Sequence, residues 1–155
     1  MKSTLVSLLI FGISSLTVAA ETKYLTLGKI VKGTVEAGKS ASLEIPIEIG
    51  KEYHVQANPA SLPRLIPTTV ELAGDGGIEV GAPQYPKGSI YHQQGSDQPI
   101  SVYNGKIRIT IPVSVKAGTK PGEYALKGKV RYQACNEKTC FFPTFVPFEF
   151  PLRVK

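Results

Sequence analysis

The chain contains several short runs in which apolar and polar residues alternate, separated by stretches rich in glycine and proline. Residues 42–49 place leucine or isoleucine at every second position, and residues 106–115 repeat the pattern with isoleucine and valine. A period of two puts successive side chains on opposite faces of a β-strand. Each run therefore predicts a strand with one buried and one solvated face, and little of the chain after residue 20 has the period of a helix.

Further strand-like runs occupy the rest of the chain, at residues 24–35, 53–57, 68–72, 124–132 and 148–154. About seven or eight short strands with glycine and proline turns, and no alternating helices, predict an all-β, two-sheet antiparallel sandwich. The alternation alone does not separate it from another sandwich or a barrel. Pro46 predicts an edge position or a bulge, and Gly128, on an inward position, predicts either close approach of another backbone or a bulge.

The first 20 residues have the features of a cleaved signal peptide. Lys2 supplies a positive charge, residues 5–16 are mostly apolar, and Val18-Ala19-Ala20 forms a small-residue cleavage site. The apolar part is too short to span a bilayer comfortably. We expect a single domain at residues 21–155, secreted into an oxidising compartment, which for a signal of this bacterial type is the periplasm.

The basic residues of the chain are dispersed. The whole chain has a net charge of +6, and about +5 remains once Lys2 is removed. Basic residues occupy alternate positions of the strand-like runs, as Lys127, Lys129 and Arg131 do. Clustered charge is typical of nucleic-acid or membrane binding, whereas alternating charge is typical of a solvated sheet face. The charge therefore predicts no nucleic-acid partner and only a mild preference for acidic ones.

The two cysteines of the chain, Cys135 and Cys140, are separated by four residues at the end of a strand-like run. Thiols this close in sequence can form a local disulfide. A loop this short adds only about 2 kcal/mol to stability in the chain-entropy estimate, against nearly 5 for a loop of roughly a hundred residues. Short or exposed bridges are more often labile or catalytic. The spacing alone therefore leaves two interpretations equally open, a redox-active disulfide and a passive bridge that rigidifies a turn, since secreted domains often contain such bridges.

The residues around the cysteines add a resemblance to a known family. Tyr132-Gln133-Ala134-Cys135, followed by Cys140 and Pro143, resembles the active-site segment of the N-terminal periplasmic domain of the thiol:disulfide interchange protein DsbD. The best-known members have five residues between the cysteines, whereas this chain has four. The resemblance implies an immunoglobulin-like sandwich in which the strand containing Tyr53 and His54 passes close to the cysteines.

Residues 82–99 correspond, by the same resemblance, to a cap that folds over the cysteines and shields them. This is the longest irregular stretch of the chain, and loops of this length are usually functional or disordered. The best-known caps carry an acidic pair followed by phenylalanine at the tip, whereas residues 93–97 are Gln-Gln-Gly-Ser-Asp and contain no phenylalanine. Two alternatives follow: Tyr91 or His92 substitutes for the phenylalanine, or the cap is more open.

The resemblance also implies a role for each candidate catalytic residue: Cys140 forms the mixed disulfide with a partner, and Cys135 resolves it. Candidates for a surrounding shell or cap are the nearby aromatic, histidine and proline residues, namely Tyr53, His54, Tyr91, His92, Tyr132, Phe141, Phe142 and Pro143. Core packing is the competing explanation for Tyr132. An ordinary structural role is the competing explanation for the two lone histidines.

The sequence gives little indication of a metal site. Two cysteines and two histidines would suffice for a four-ligand zinc site, but the histidines lack the spacing of such sites. Met1 is the only methionine, which excludes a methionine-type copper site in the mature protein. We therefore expect no metal and no cofactor.

These observations predict a periplasmic thiol:disulfide exchange module that passes electrons through a reversible Cys135–Cys140 disulfide, a relay of the protein-disulfide reductase type. By resemblance, its reductant would be a membrane-embedded or thioredoxin-like protein. Its electron acceptor would be a periplasmic disulfide isomerase or a cytochrome c maturation thiol protein. The alternative is a non-enzymatic β-sandwich that binds a partner through residues 82–99 and keeps a structural disulfide.

Overall fold

The computed structural model describes residues 24–155, which form twelve β-strands joined by turns and loops. No helix occurs within this range. In chain order the strands are β1 (Leu25–Leu27), β2 (Gly33–Val35), β3 (Ser40–Ile49), β4 (His54–Gln56), β5 (Thr69–Leu72), β6 (Ile78–Val80), β7 (Ser89–Tyr91), β8 (Ile100–Tyr103), β9 (Lys106–Val115), β10 (Gly122–Tyr132), β11 (Ala134–Cys135) and β12 (Thr144–Val154).

The strands form three four-stranded sheets. The first sheet has the order β1-β3-β9-β6, the second sheet has the order β2-β12-β10-β5, and the third sheet has the order β11-β4-β8-β7. Neighbouring strands are antiparallel, except that β2 runs parallel to β12.

The two longest strand pairs form the core of the sandwich. β3 pairs with β9 so that Ile45 lies opposite Ile109, and both are fully buried. β10 pairs with β12 so that Leu126 lies opposite Phe150, and these are buried as well. All four belong to one hydrophobic cluster, so the first and second sheets pack their apolar faces together. The predicted all-β, immunoglobulin-like sandwich is confirmed.

Burial along β3 and β9 follows the predicted alternation. Every second residue at positions 43–49 and 109–115 is buried, whereas Ile107 near the start of β9 is half-buried. The predicted edge position of Pro46 is wrong, because β3 is an inner strand. The Pro46 carbonyl accepts a hydrogen bond from the Gly28 N–H, just beyond the end of β1. In an antiparallel pair the N–H and C=O of one residue point to the same side, so the position where Pro46 lacks an N–H faces β1 and not β9. Pro46 therefore removes no hydrogen bond from the β3–β9 ladder.

Oppositely charged side chains face each other across the solvated sides of the strands. Lys106 pairs with Glu48, and Lys129 pairs with Glu71, in each case at 3.0 Å across a strand pair. Exposed pairs of this kind contribute about 0–1 kcal/mol each. Their positions confirm that the alternating basic residues lie on solvated sheet faces.

The third sheet positions the cysteines. The alternation does not predict it, because its strands contain two to four residues, too few to show a period. β11 follows β10 after a single residue, Gln133, so the long strand β10 delivers Cys135 directly into the third sheet. The buried residues Val55, Tyr103 and Ala134 join this sheet to the main hydrophobic cluster.

The segment 82–99 is more ordered than the irregular loop expected from the sequence. It contains β7, which pairs with β8. The Tyr85 hydroxyl accepts a hydrogen bond from the Val70 N–H at 3.0 Å, and the Tyr103 hydroxyl donates one to the Pro86 carbonyl at 2.9 Å. These contacts hold the segment beside the third sheet.

The predicted signal peptide, residues 1–20, lies outside the residues that the structure describes, as do residues 21–23 of the expected domain. The signal peptide and the domain boundary at residue 21 therefore stay predictions. Within residues 24–155 there is no helix of the length and hydrophobicity that crossing a membrane requires.

Gly128 lies where the two neighbours of β10 approach closely. A Cβ atom at this position would lie 2.5 Å from Phe148 Cζ and 2.7 Å from the Glu71 carbonyl oxygen. Gly128→Ala is expected to lower the free energy of unfolding by about 1–3 kcal/mol, because the overpacked strand must move. Urea denaturation measures the change. Gly122→Ala in the same strand is the control, since a Cβ there has no neighbour within 4 Å; equal midpoints for the two variants would contradict the close approach.

Candidate functional site

Cys135 and Cys140 are joined by a disulfide, and their Cα atoms lie 3.9 Å apart. Cys135 is the last residue of β11 and is fully buried. Cys140 follows residues 136–139, which we call the cysteine loop, and it is half-buried. The disulfide thus connects a sealed residue with one that solvent reaches.

The cysteine loop is closed by its own hydrogen bonds. The Asn136 side-chain oxygen accepts from the backbone N–H groups of Lys138 at 3.0 Å and Thr139 at 2.9 Å, and the Asn136 N–H donates to the Thr139 carbonyl at 2.9 Å. Asparagine is favoured in turns because its side chain can bind the main chain a few residues ahead. Next to the disulfide, the Phe141 N–H donates to the Ala134 carbonyl at 2.8 Å. The turn therefore depends on local contacts.

β4 forms the wall of the site on the Cys135 side. His54 lies opposite Cys135 in the pairing of β4 with β11, as the family resemblance implies. Gln56 lies two positions further along β4, on the same face, and its side-chain Nε2 donates to Cys135 Sγ at 3.3 Å. Gln56 is fully buried. The buried sulfur is therefore in contact with a polar group that no motif in the sequence indicates.

His54 is buried against Tyr91, with the two ring centroids 4.1 Å apart. Its Nε2 atom is enclosed and lacks a hydrogen-bond partner of good geometry within residues 24–155. Burial lowers the pKa of His54 from its ordinary value of 6.5, and interaction with the Gln93 side chain offsets part of this effect. At neutral pH the imidazole is therefore uncharged.

Gln93, from the segment 82–99, binds the outer side of the cysteine loop. Its side-chain Nε2 donates to the carbonyls of Asn136 at 3.0 Å and Glu137 at 2.8 Å. Tyr91 from the same segment packs on His54. The segment therefore binds the cysteine loop through Gln93, while part of the surface of Cys140 stays exposed.

A groove of about 290 Å³ opens beside Cys140. Its walls come from the loop between β4 and β5, the segment 82–99, the start of β8 and the residues on either side of β11. The lining residues are Leu62, Arg64, Leu65, Gln93, Ser96, Ile100, Gln133 and Cys140. Gln133 joins two parts of this wall: its side-chain oxygen accepts from the Ile66 N–H at 3.0 Å, and its Nε2 donates to the Phe141 carbonyl at 3.2 Å. The half-buried Cys140 therefore lines a groove with both apolar and polar sides.

Aromatic rings support the chain just after Cys140. Phe141 stacks on Tyr24 with ring centroids 4.6 Å apart, and its ring lies 6.1 Å from that of Tyr53. Tyr53 therefore reaches the site through Phe141. Phe142 is 94% exposed, and Pro143 is exposed as well. Of the two adjacent phenylalanines, one supports the cysteine loop and the other faces solvent.

Two of the predicted shell residues have a different environment. Tyr132 is fully buried within the hydrophobic core, where the competing explanation of core packing places it. His92 is exposed, and its side chain makes no hydrogen bond, ion pair or ring contact with another residue of the range 24–155. It therefore lies outside the contacts that form the site, because the chain leaves β7 at Tyr91 and turns toward solvent.

Four further residues of the site were not predicted from the sequence: Tyr24, Gln56, Gln93 and Gln133. Three of them are glutamines whose side-chain amides bind main-chain groups or sulfur. Glutamine has no characteristic spacing of its own, so these contacts become visible only in the fold. Two signals were available: Gln133 lies in the motif that leads to Cys135, and Gln56 is a polar residue in the strand-like run 53–57.

Metal-ligating side chains do not gather at the site. Within residues 24–155 no group of three or more His, Cys, Asp or Glu side chains could hold a metal ion. The four-ligand arrangement of both cysteines with both histidines therefore does not form.

The stability of the oxidised protein is expected to depend on protonation of His54. Because folding lowers the pKa of His54 below 6.5, the unfolded state binds the proton more tightly. The stabilising contribution is therefore present above about pH 6.5 and is lost as the pH falls through the lowered pKa. His54→Gln should flatten this part of the pH profile of the free energy of unfolding, measured in urea. The control is the exposed His92→Gln, which should keep the profile; an unchanged profile in His54→Gln would contradict the prediction.

One solved structure supports the fold. The crystal structure of the N-terminal periplasmic domain of ScsB from Proteus mirabilis aligns with a TM-score of 0.52 and 8% identity, over 85% of this chain and 50% of that chain. This chain therefore spans half the length of the ScsB chain that it matches. A PapD-like domain of human CEP192 aligns with a TM-score of 0.38 and 11% identity, over 99% of this chain and 96% of that one.

Comparison at the level of families is more specific. A search of the curated proteins finds no match. In contrast, the model of the family described as the N-terminal domain of the thiol:disulfide interchange protein DsbD matches residues 21–149, which is most of the chain and includes both cysteines. The chain therefore belongs to the family of the DsbD N-terminal domain.

Proposed function

We propose that the protein is a periplasmic thiol:disulfide exchange module whose Cys135–Cys140 disulfide opens and closes in each cycle. Membership of the family and the bonded cysteine pair support a thiol–disulfide interchange domain. The observation that carries the proposal is the unequal burial of the two residues, since Cys135 is sealed and Cys140 is accessible. Exchange requires one sulfur that a partner can reach, whereas a structural bridge has no such requirement.

The difference in exposure supports a role for each cysteine. A partner thiolate attacks Cys140 Sγ, the Cys135–Cys140 bond breaks, and its electron pair leaves with Cys135 as a thiolate. A second thiolate of the partner then attacks the partner's own sulfur in the mixed disulfide and releases Cys140. The partner ends as a disulfide, and the cysteine pair has gained two electrons, with protons from solvent. In the reverse direction, Cys140 attacks a partner disulfide and Cys135 resolves the adduct.

The surface around Cys140 suits the approach of another protein. Phe142, two residues after Cys140, is a large apolar side chain that is 94% exposed. Exposed apolar groups that are close together often mark interaction sites. The groove beside Cys140 adds Leu62, Leu65 and the cation of Arg64. These groups would contact the segment that carries the partner's cysteine.

The compartment and partners follow from the family. We place the mature domain at residues 21–155, after removal of residues 1–20, and locate it in the periplasm, where disulfides persist. The similar ScsB structure is described as a periplasmic domain. A membrane-embedded or thioredoxin-like protein would reduce the pair. A disulfide isomerase or a cytochrome c maturation thiol protein would receive the electrons.

The reduction potential of the pair separates exchange from a structural role. We expect roughly −120 to −270 mV, the range of known exchange proteins, after equilibration with glutathione or dithiothreitol buffers. Alkylation of free thiols followed by mass spectrometry measures the reduced fraction. A potential below about −300 mV would instead support the alternative, a β-sandwich binding module with a structural disulfide.

The two single-cysteine variants test which sulfur a partner reaches. Cys135→Ala keeps the accessible thiol of Cys140 and is expected to accumulate mixed disulfides with thiol proteins of a periplasmic extract. Cys140→Ala keeps the buried thiol and is the matched control, with about tenfold fewer adducts expected because access limits exchange. Non-reducing electrophoresis measures the adducts. Equal amounts from both variants, or none from Cys135→Ala, would reject the assignment.

A further inference from the structure

We propose that Gln56 is a catalytic residue of the exchange reaction, whose side-chain N–H group stabilises the thiolate that Cys135 becomes when the disulfide opens. This inference rests on the proposed function and adds a residue to its mechanism. Gln56 lies 79 positions before Cys135 in the chain and reaches it only through the pairing of β4 with β11.

The Gln56 amide contacts a reacting atom directly. Nε2 lies 3.3 Å from Cys135 Sγ, and both residues are fully buried. A disulfide sulfur has no proton to donate, so the amide must present its N–H side. The other end of the amide, Oε1, is buried without a hydrogen-bond partner within residues 24–155. An unpaired buried polar atom costs about 1–3 kcal/mol, so packing alone does not account for a glutamine at this position.

Main-chain contacts on both sides hold Gln56 in place. Its N–H donates to the Gln133 carbonyl at 3.3 Å. Its carbonyl accepts from the Thr68 N–H at 3.1 Å and from the Thr68 hydroxyl at 2.6 Å. The residue also lies opposite Val102 in the pairing of β4 with β8. With its main chain held, the Gln56 side-chain amide is in contact with Cys135 Sγ before the reaction begins. A dipole that is fixed in advance stabilises developing charge most effectively.

The same hydrogen bond becomes stronger as the disulfide opens. When a partner thiolate attacks Cys140 Sγ, the electron pair of the broken bond moves to Cys135 Sγ, which changes from a neutral acceptor to an anion. Hydrogen bonds to charged groups are roughly twice as strong as those between neutral groups. A buried anion without a donor is strongly disfavoured. Gln56 therefore favours the opened state, in which Cys135 is the leaving group, over the closed disulfide.

The ionisable groups around Cys135 do not replace this donor. On β4, His54 makes no hydrogen bond to Cys135 Sγ: its Nε2 lacks a hydrogen-bond partner within residues 24–155, and its ring packs against Tyr91 on β7. Glu137 and Lys138 lie on the exposed cysteine loop, where solvent and salt screen their charges. A neutral amide is thus the group that the structure places against the buried sulfur.

Gln56→Met removes the donor and keeps the approximate length of the side chain. In the reduced protein the pKa of the Cys135 thiol, followed by NMR of its Cβ carbon, is expected to rise, so that the thiolate population at a given pH falls about tenfold. Opening of the oxidised pair by dithiothreitol should slow, because a thiol of higher pKa is a poorer leaving group. Gln56→Glu has nearly the same shape but places a carboxylate against the sulfur, and it should raise the thiol pKa further.

Thr68→Val is the matched control, because it removes one of the two Thr68 contacts to the Gln56 carbonyl and keeps the Thr68 N–H bond and the Gln56 side-chain donor. It should lower stability and raise the Cys135 pKa by much less than Gln56→Met does; a pKa rise equal to that of Gln56→Met would overturn the proposal, since the effect would then come from the position of β4. If the wild type exchanges disulfides with thiol proteins but both Gln56 variants have the wild-type Cys135 pKa and opening rate, the role of Gln56 is rejected and the exchange function stands. A wild-type potential below about −300 mV would reject the exchange function and this inference with it.

Discussion

The short pairing of β11 with β4 determines that the two cysteines of the disulfide are buried to different extents. It holds Ala134 and Cys135 against Val55 and His54, and it seals Cys135 inside the protein. Four residues later the chain returns to the surface at Cys140, so a single disulfide connects the interior with solvent. Any charge that forms on Cys135 therefore forms where water cannot stabilise it. The surrounding protein must supply that stabilisation, which makes the few polar groups near this sulfur important.

Side-chain amides connect the site to three separate parts of the chain. Gln93 binds the cysteine loop to the segment 82–99, Gln133 joins Phe141 to the loop containing Ile66, and Gln56 contacts the buried sulfur. Amides stay neutral at every pH, so they can hold the loop without adding charge beside the thiols. Gln93 also influences the pKa of buried His54, and protonation of His54 lowers the stability of the folded protein.

The main sandwich was predictable because burial in a β-strand repeats every two residues and can be counted along the chain. Pro46 shows where such rules stop. The preference of proline for edges concerns hydrogen bonds on one side of a strand. Here the neighbour on that side needs no N–H from Pro46, because β1 ends at Leu27 and the following Gly28 only donates to the Pro46 carbonyl. In the third sheet, β4 was predicted as a strand, and the family resemblance implied its place beside the cysteines. The order of the sheet was not predictable, since its strands are too short for a period and its partners come from distant segments.

The sequence by itself determined the local chemistry: two cysteines four residues apart, the strand that leads to them, and the turn between them that Asn136 closes. Each of these depends on neighbours along the chain. Only the tertiary structure decided that Cys135 is sealed while Cys140 is accessible, and that Gln56 contacts the sealed sulfur. Those properties depend on groups up to 79 positions away, which meet only when the strands pair, so no local pattern can encode them.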